Sequence, residues 1–169
     1  MNQMIWDAII FATNKHQGQK RKYTGEDYIV HPLAVAKLVS QCQEATTNMI
    51  IASILHDTVE DCNVTLKEIE IRFGQRVSEL VEMLTDVSKP EDGNRETRKR
   101  IDREHTAKAH SDAKTIKLAD LIDNTKSIVE HAPDFAKVYL AEKRLLLEVL
   151  TTGDRRLWEM ANEQVGVNL

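Results

Sequence analysis

The chain has 169 residues, with 27 acidic and 23 basic side chains, a net charge of -4 and a pI near 5.9. That length suits one compact domain, residues 1–169, burying its own core, and the charge argues against a general nucleic-acid binder, which carries surplus positive charge. No apolar stretch nears the roughly 20 residues of a membrane span, no signal-peptide pattern opens the chain, and Cys42 and Cys62 are too few for a disulfide framework or a zinc knuckle; reducing cytoplasm is the expected compartment.

Leu, Ile, Val and Ala dominate the apolar residues and aromatics are few, which favours helices packed on helices. Ile5, Ile9 and Ala12, with Ala8 and Phe11 beside them, form the first helical stripe. A basic, glycine-containing loop, "HQGQKRKYTGEDYIVHP", runs to Pro32. Proline suits a first helical turn, so residues 32 to 42 read as a second helix with His31 extended at its entrance. Residues 47 to 58 read as a third. "TLKE" at 65 to 68 is a capping box, and Gly74 closes the short helix that it opens. Val77, Leu80, Val81 and Leu84 mark the next helix.

"SKPEDGN", 88 to 94, is too short to separate two domains. Residues 95 to 109 make a strongly charged helix, whose Glu96–Arg100 and Arg98–Asp102 spacings predict a solvent face laced with ion pairs. Ser111 is the expected cap of a segment running to Pro133, and helices over 134 to 151 and 154 to 165 follow, with Gly153 between them. No repeat and no convincing alternating strand appears. The predicted fold is all-α.

Two stretches carry chemistry. On a helical wheel of residues 50 to 61, Ile50, Ile51, Ile54 and Leu55 fill one arc, and His56, Asp57, Glu60 and Asp61 fill much of the opposite one. In "IKLADLIDN", Asp120 interrupts an apolar heptad, with Asn124 and Ser127 on the same face at i+4 and i+7. Either stripe can simply face water. Taken with His31, they also offer two imidazoles and two carboxylates, a mixed N/O set for one divalent metal. Such a set suits Mn²⁺ or Fe²⁺ and favours Zn²⁺ less than thiolates would. His56 and Asp57 diverge by about 100° on a helix, so they share an ion only near a helix end.

Five segments, "HQGQKRK", "YIVHPLAVA", "ASILHDTVED", "FGQRV" and "IKLADLIDN", occur in an order and spacing that resemble the HD superfamily of metal-dependent phosphohydrolases. Within it, the chain resembles the small alarmone hydrolases, free-standing relatives of the hydrolase half of the bifunctional Rel/Spo enzymes. The resemblance runs from about Ala8 to Leu150. It implies a compact helical HD fold and His31, His56, Asp57 and Asp120 as metal ligands, usually for Mn²⁺. It also implies Glu60 and Asp61 as the catalytic acidic pair, Arg21 and Lys22 facing phosphates, and Asn124 and Tyr139 contacting the nucleotide. Two departures stand out. Asp27 replaces a common proline, and Leu121 and Asp123 replace the Arg and His of "KLADRLHN".

The expectation is therefore removal of the 3′-diphosphate from ppGpp or pppGpp, a small-molecule nucleotide substrate, with no nucleic-acid or membrane partner and no room for a synthetase domain. The alternative is another HD nucleotide phosphohydrolase, acting on an adenine alarmone or a nucleoside monophosphate with the same metal ligands. The chemistry is consistent: a bound cation acidifies its water and polarises phosphoryl oxygen, while basic side chains hold the leaving diphosphate.

Overall fold

The computed structural model describes residues 2–168. Ten α-helices account for most of them: α1 (Gln3–Lys15), α2 (Val30–Ser40), α3 (Thr47–Leu55), α4 (Thr58–Asp61), α5 (Leu66–Phe73), α6 (Gln75–Leu84), α7 (Arg95–Ala107), α8 (Ser111–His131), α9 (Pro133–Val149) and α10 (Arg155–Val167). A 3₁₀ turn covers Pro90–Asp92, and the described residues contain no strand, only an isolated bridge between Lys20 and Asp27. The all-α expectation holds.

The central layer is α3, whose Ile51, Ala52, Ile54 and Leu55 are all buried. It packs against α1, α2 and α6, and α2 in turn lies along α8. On its other side α8 meets α9 and α10. Each fully buried Leu or Ile here contributes about 1.5–3 kcal/mol. That core fixes the relative positions of α2, α3 and α8, which carry the polar residues of interest.

Several local expectations are met, and others are displaced for identifiable reasons. Thr65 accepts the amide of Glu68 at the start of α5, while the Glu68 carboxylate turns instead to Lys15 and Arg72. Gly74, at φ +94°, ends α5 and starts α6 in a conformation that disfavours other residues. His31 is not extended but lies in the first turn of α2. Turn bonds from the amides of Val30 to Asp27 and His31 to Tyr28 start the helix early, and Pro32 falls where an amide lacks a helical partner anyway. His110, not Ser111, caps α8 by accepting the Asp112 amide.

The ion pairs expected on α7 do not form. Arg100 pairs with Glu104, and Asp102 is buried, accepting from the amides of Val87 and Ser88 and from the Ser88 hydroxyl. The loop takes those acceptors, and Arg98, half-buried, is left without them.

The turn between α9 and α10 comes very close to α8. A Cβ on Gly153 would lie 2.8 Å from Leu118 Cδ1 and 3.1 Å from the Lys114 carbonyl carbon. Glycine is therefore favoured by close approach to the part of α8 that precedes Asp120.

Candidate metal centre

The third helix ends at Leu55, short of the continuous 47–58 helix expected from the sequence. The last carbonyls of a helix lack intrahelical partners, and two side chains take them: His56 Nδ1 donates to Ser53 O at 2.8 Å, and Thr58 Oγ1 donates to Leu55 O at 2.7 Å. His56 and Asp57 fall in the break between α3 and α4, where an adjacent pair can reach one point. The 50–61 wheel fails for the same reason. His56 is 2 % exposed and does not belong to a wet face.

Four side chains close a ring. His31 Nε2 lies 3.6 Å from Asp57 Oδ2 and 3.2 Å from Asp120 Oδ1. His56 Nε2 lies 3.1 Å from Asp57 Oδ2 and 3.9 Å from Asp120 Oδ1. Neighbouring donors around one cation with bonds near 2.1 Å have about this spacing. Both Nε2 atoms are buried without a hydrogen-bond partner. A buried unpaired ring nitrogen is costly, and a divalent cation between these donors would satisfy both at once. The residues present fit the ion.

The outer atoms of each donor are fixed. His31 Nδ1 donates to Asp123 Oδ2 at 2.6 Å, and His56 Nδ1 to the Ser53 carbonyl, so both Nε2 lone pairs face inward. Tyr28 donates its hydroxyl to Asp57 Oδ2 at 2.8 Å, and Asn124 Nδ2 donates to Asp120 Oδ1 at 2.6 Å. Lys117 Nζ stands 3.3 Å from Asp120 Oδ2.

Electrostatics follow this wiring. Burial pulls the His31 imidazole down, but the Asp120 and Asp123 carboxylates beside it outweigh that and raise it to about 9. His56 is likewise raised, with Asp57 overcoming burial. Asp120 resists burial through Lys117 and His31, which hold it well below the usual carboxylate range. Without a cation, the carboxylates of the ring therefore favour the protonated form of both imidazoles.

Glu60 and Asp61 stand at the rim. The Glu60 residue as a whole is exposed, yet its carboxyl is crowded: partial burial and the Asp86 charge push it up to about 7, against Lys117 and the Asp86 amide, which donates to Oε1 at 2.6 Å. Asp61 is exposed and accepts from Gln19 Nε2 at 2.9 Å. Arg21, half-buried, donates to Asn124 Oδ1 at 3.0 Å and approaches Asp123 at 3.4 Å. Lys22 lies exposed over the Tyr23 ring, on the wall of the cavity that Arg21, Tyr28 and Asn124 also line. Tyr139 is buried beneath, its hydroxyl accepting from Thr125 at 3.4 Å rather than standing in the open cleft.

Sequence reasoning did not assign Lys117 or Tyr28, and it treated Asp123 only as a departure. The signal for Lys117 was available, since 117, 120, 124 and 127 share one face of α8. Nothing local points to the Asp86 amide on Glu60.

A family model described as HD domain matches residues 8–146, most of the chain. The chain belongs to the HD-domain family. This HD-domain protein is 40 % identical over 136 residues to guanosine-3′,5′-bis(diphosphate) 3′-pyrophosphohydrolase MESH1 of Xenopus tropicalis, covering 78 % of this chain and 73 % of that protein. The human protein of the same name is 37 % identical, with 77 % and 72 % covered. A solved structure described as a metazoan ortholog of SpoT that hydrolyzes ppGpp superposes with a TM-score of 0.86 at 27 % identity, covering 97 % of this chain and 94 % of that one. An HD-domain hydrolase implies a divalent metal, for which the ring around His31, His56 and Asp57 is a possible site. Among the described residues, no helix is long and apolar enough to cross a membrane.

Proposed function

We propose that this chain is a guanosine-3′,5′-bis(diphosphate) 3′-pyrophosphohydrolase, working as one unit over residues 1–169 with Mn²⁺ as its ion. The observation that carries the reading is the closed ring of two buried, unpartnered imidazole nitrogens and two carboxylates, in a chain similar over most of its length to hydrolases of that name. His31, His56, Asp57 and Asp120 hold the ion. Mixed nitrogen and oxygen donors without thiolate favour Mn²⁺, with Fe²⁺ and Zn²⁺ the alternatives. A divalent cation there lowers the pKa of water and polarises a phosphoryl oxygen.

The chain's own residues do the rest. Glu60, on the rim one turn after His56, accepts the proton of the attacking water, and Asp61 beside it orients that water through its free oxygen. The water oxygen bonds to the first phosphorus of the 3′ chain as that atom's bond to the ribose oxygen opens. The ribose oxygen takes a proton, diphosphate leaves, and GDP or GTP remains. Arg21 and Lys22 carry charge to the departing diphosphate, and charge-assisted hydrogen bonds are the strong ones. Asn124 meets the nucleotide while holding Asp120, and Tyr139 forms the floor at that end.

The deciding experiment incubates the protein with Mn²⁺ and a panel of guanine and adenine alarmones and nucleoside monophosphates, then identifies products. Diphosphate with GDP or GTP supports the reading. Orthophosphate from a monophosphate, or preference for the adenine alarmones, replaces it with the other HD phosphohydrolase activity.

A further inference from the structure

On the side of Asp120 away from Arg21 lies a second, enclosed chamber between α7, α8 and α9. Its walls carry Asp86, Lys99, Asp102, Arg103, Lys117 and Lys143. The two oxygens of Asp120 mark the division. Oδ1 takes the Asn124 amide, which also holds Arg21, and Oδ2 faces Lys117 of the chamber wall. Asp86 ties the chamber to the rim as well, through its amide on Glu60.

The chamber has more cations than it can pair. Its carboxylates are engaged: Asp86 with Lys99 at 2.8 Å, Asp102 with the 87–88 loop, and Glu142, also on the wall, with Arg95 at 2.6 and 2.8 Å. Among the described residues, Lys143 and Arg103 have no carboxylate within 4.0 Å, although both are half-buried. The Lys143 ammonium rests 4.9 Å from the centre of the Tyr139 ring. Burial and the Lys117 charge push it down to about 8. Two cations held partly out of water without a carboxylate partner are costly, and an anion placed between them would supply the missing counter-charge.

Size decides what enters. The chamber offers water-sized atoms ≈ 70 Å³, where a single water needs roughly 10–15 Å³ on that measure. That is room for the few heavy atoms of a phosphoryl group.

We infer that this chamber receives a phosphoryl group at the uncleaved 5′ end of the substrate, with Lys143 and Arg103 as its binding residues. This rests on the proposed function, because only a nucleotide phosphorylated at two separate positions has a second anionic end to place beyond Asp120. Lys143 and Arg103 then set specificity, favouring nucleotides with a 5′-diphosphate over those that end in a 5′-hydroxyl.

The test compares kcat/KM for ppGpp with that for guanosine 3′-diphosphate lacking 5′-phosphates, in the wild type, Lys143→Gln and Arg103→Gln. Thermal melts check that each variant folds, and Arg103→Gln carries the test if Lys143→Gln does not. The wild type is expected to prefer ppGpp, and each variant to shrink that preference by about tenfold or more, the worth of one charged hydrogen bond. An unchanged preference, or an equal loss on both nucleotides, overturns the inference while leaving the hydrolase reading intact. A preference that survives while inhibition by inorganic diphosphate weakens assigns the chamber to the released product, which also overturns it. If the wild type cleaves neither nucleotide, the hydrolase reading fails and the inference falls with it.

Discussion

Asp123 Oδ2 accepts the Nδ1 proton of His31 at 2.6 Å, a hydrogen bond between α8 and the first turn of α2. The carboxylate aims the opposite nitrogen into the ring and raises its basicity. The same oxygen lies 3.4 Å from Arg21, so one carboxylate connects an imidazole of the ring to the cation proposed to meet the phosphates. Replacing Asp123 by Asn keeps the size and removes the charge. Metal affinity should drop about 10–100-fold, measured by chelator competition, with the helical circular dichroism unchanged. Unaltered affinity would show that His31 needs no orienting anion.

The two halves of "HDTVED" should fail in different ways. His56→Ala removes a ring donor, so metal content and turnover should fall together. Glu60→Gln keeps shape but cannot take a proton. Metal should remain bound while kcat falls about 10²–10⁴-fold, with substrate affinity changed far less. Metal analysis and steady-state rates on both variants separate the roles, and near-normal turnover in Glu60→Gln would remove that residue from the chemistry.

A related pH effect distinguishes the two enzymes. Glu60, raised to about 7, must be ionised to act as a base. Activity should therefore rise with pH through a limb at or below about 7, because a nearby cation draws the carboxyl lower. Glu60→Gln should lack that limb.

Metal binding has its own pH dependence. In the metal-free ring His31 is raised to about 9, so proton and cation compete for one lone pair. Binding releases a proton, and apparent metal affinity should climb with pH until about 9. The stability of the metal-free protein should move oppositely. A raised imidazole stabilises the fold below its unfolded value near 6.5 and loses that contribution as pH rises through about 9. Melting curves with and without Mn²⁺ at several pH values should diverge, and parallel curves would refute the competition.

Gly153→Ala tests how the scaffold supports the ring. The added methyl would press on Leu118 and the α8 backbone at Lys114. Overpacking of this kind costs about 1–3 kcal/mol, read as a lower denaturation midpoint. An unchanged midpoint would mean that α8 yields freely at this point.

Local pattern carried a large share of the outcome. The stripe at Val77, Leu80, Val81 and Leu84 is buried as its spacing requires, and Asp120 and Asn124 at i+4 are hydrogen-bonded to each other. Helix periodicity encodes these relationships within one segment. The sequence by itself therefore determined an all-helical chain, much of its core, and a small set of imidazoles and carboxylates whose chemistry suits a cation, while Ile5, Ile9 and Ile50 of its apolar stripes end only half-buried.

Only the tertiary structure decided how those groups meet. The break after Leu55 depends on side chains capturing carbonyls, His31 enters α2 through a turn built by its loop, and Asp102 serves a loop instead of a neighbouring arginine. Asp123 finds His31 across 92 positions, and the Asp86 amide finds Glu60 across 26. Such contacts are set by how α2, α3 and α8 pack on a shared core, where burial and unpaired polar atoms weigh more than local preference. Periodicity names the face of a helix, and packing chooses what that face meets.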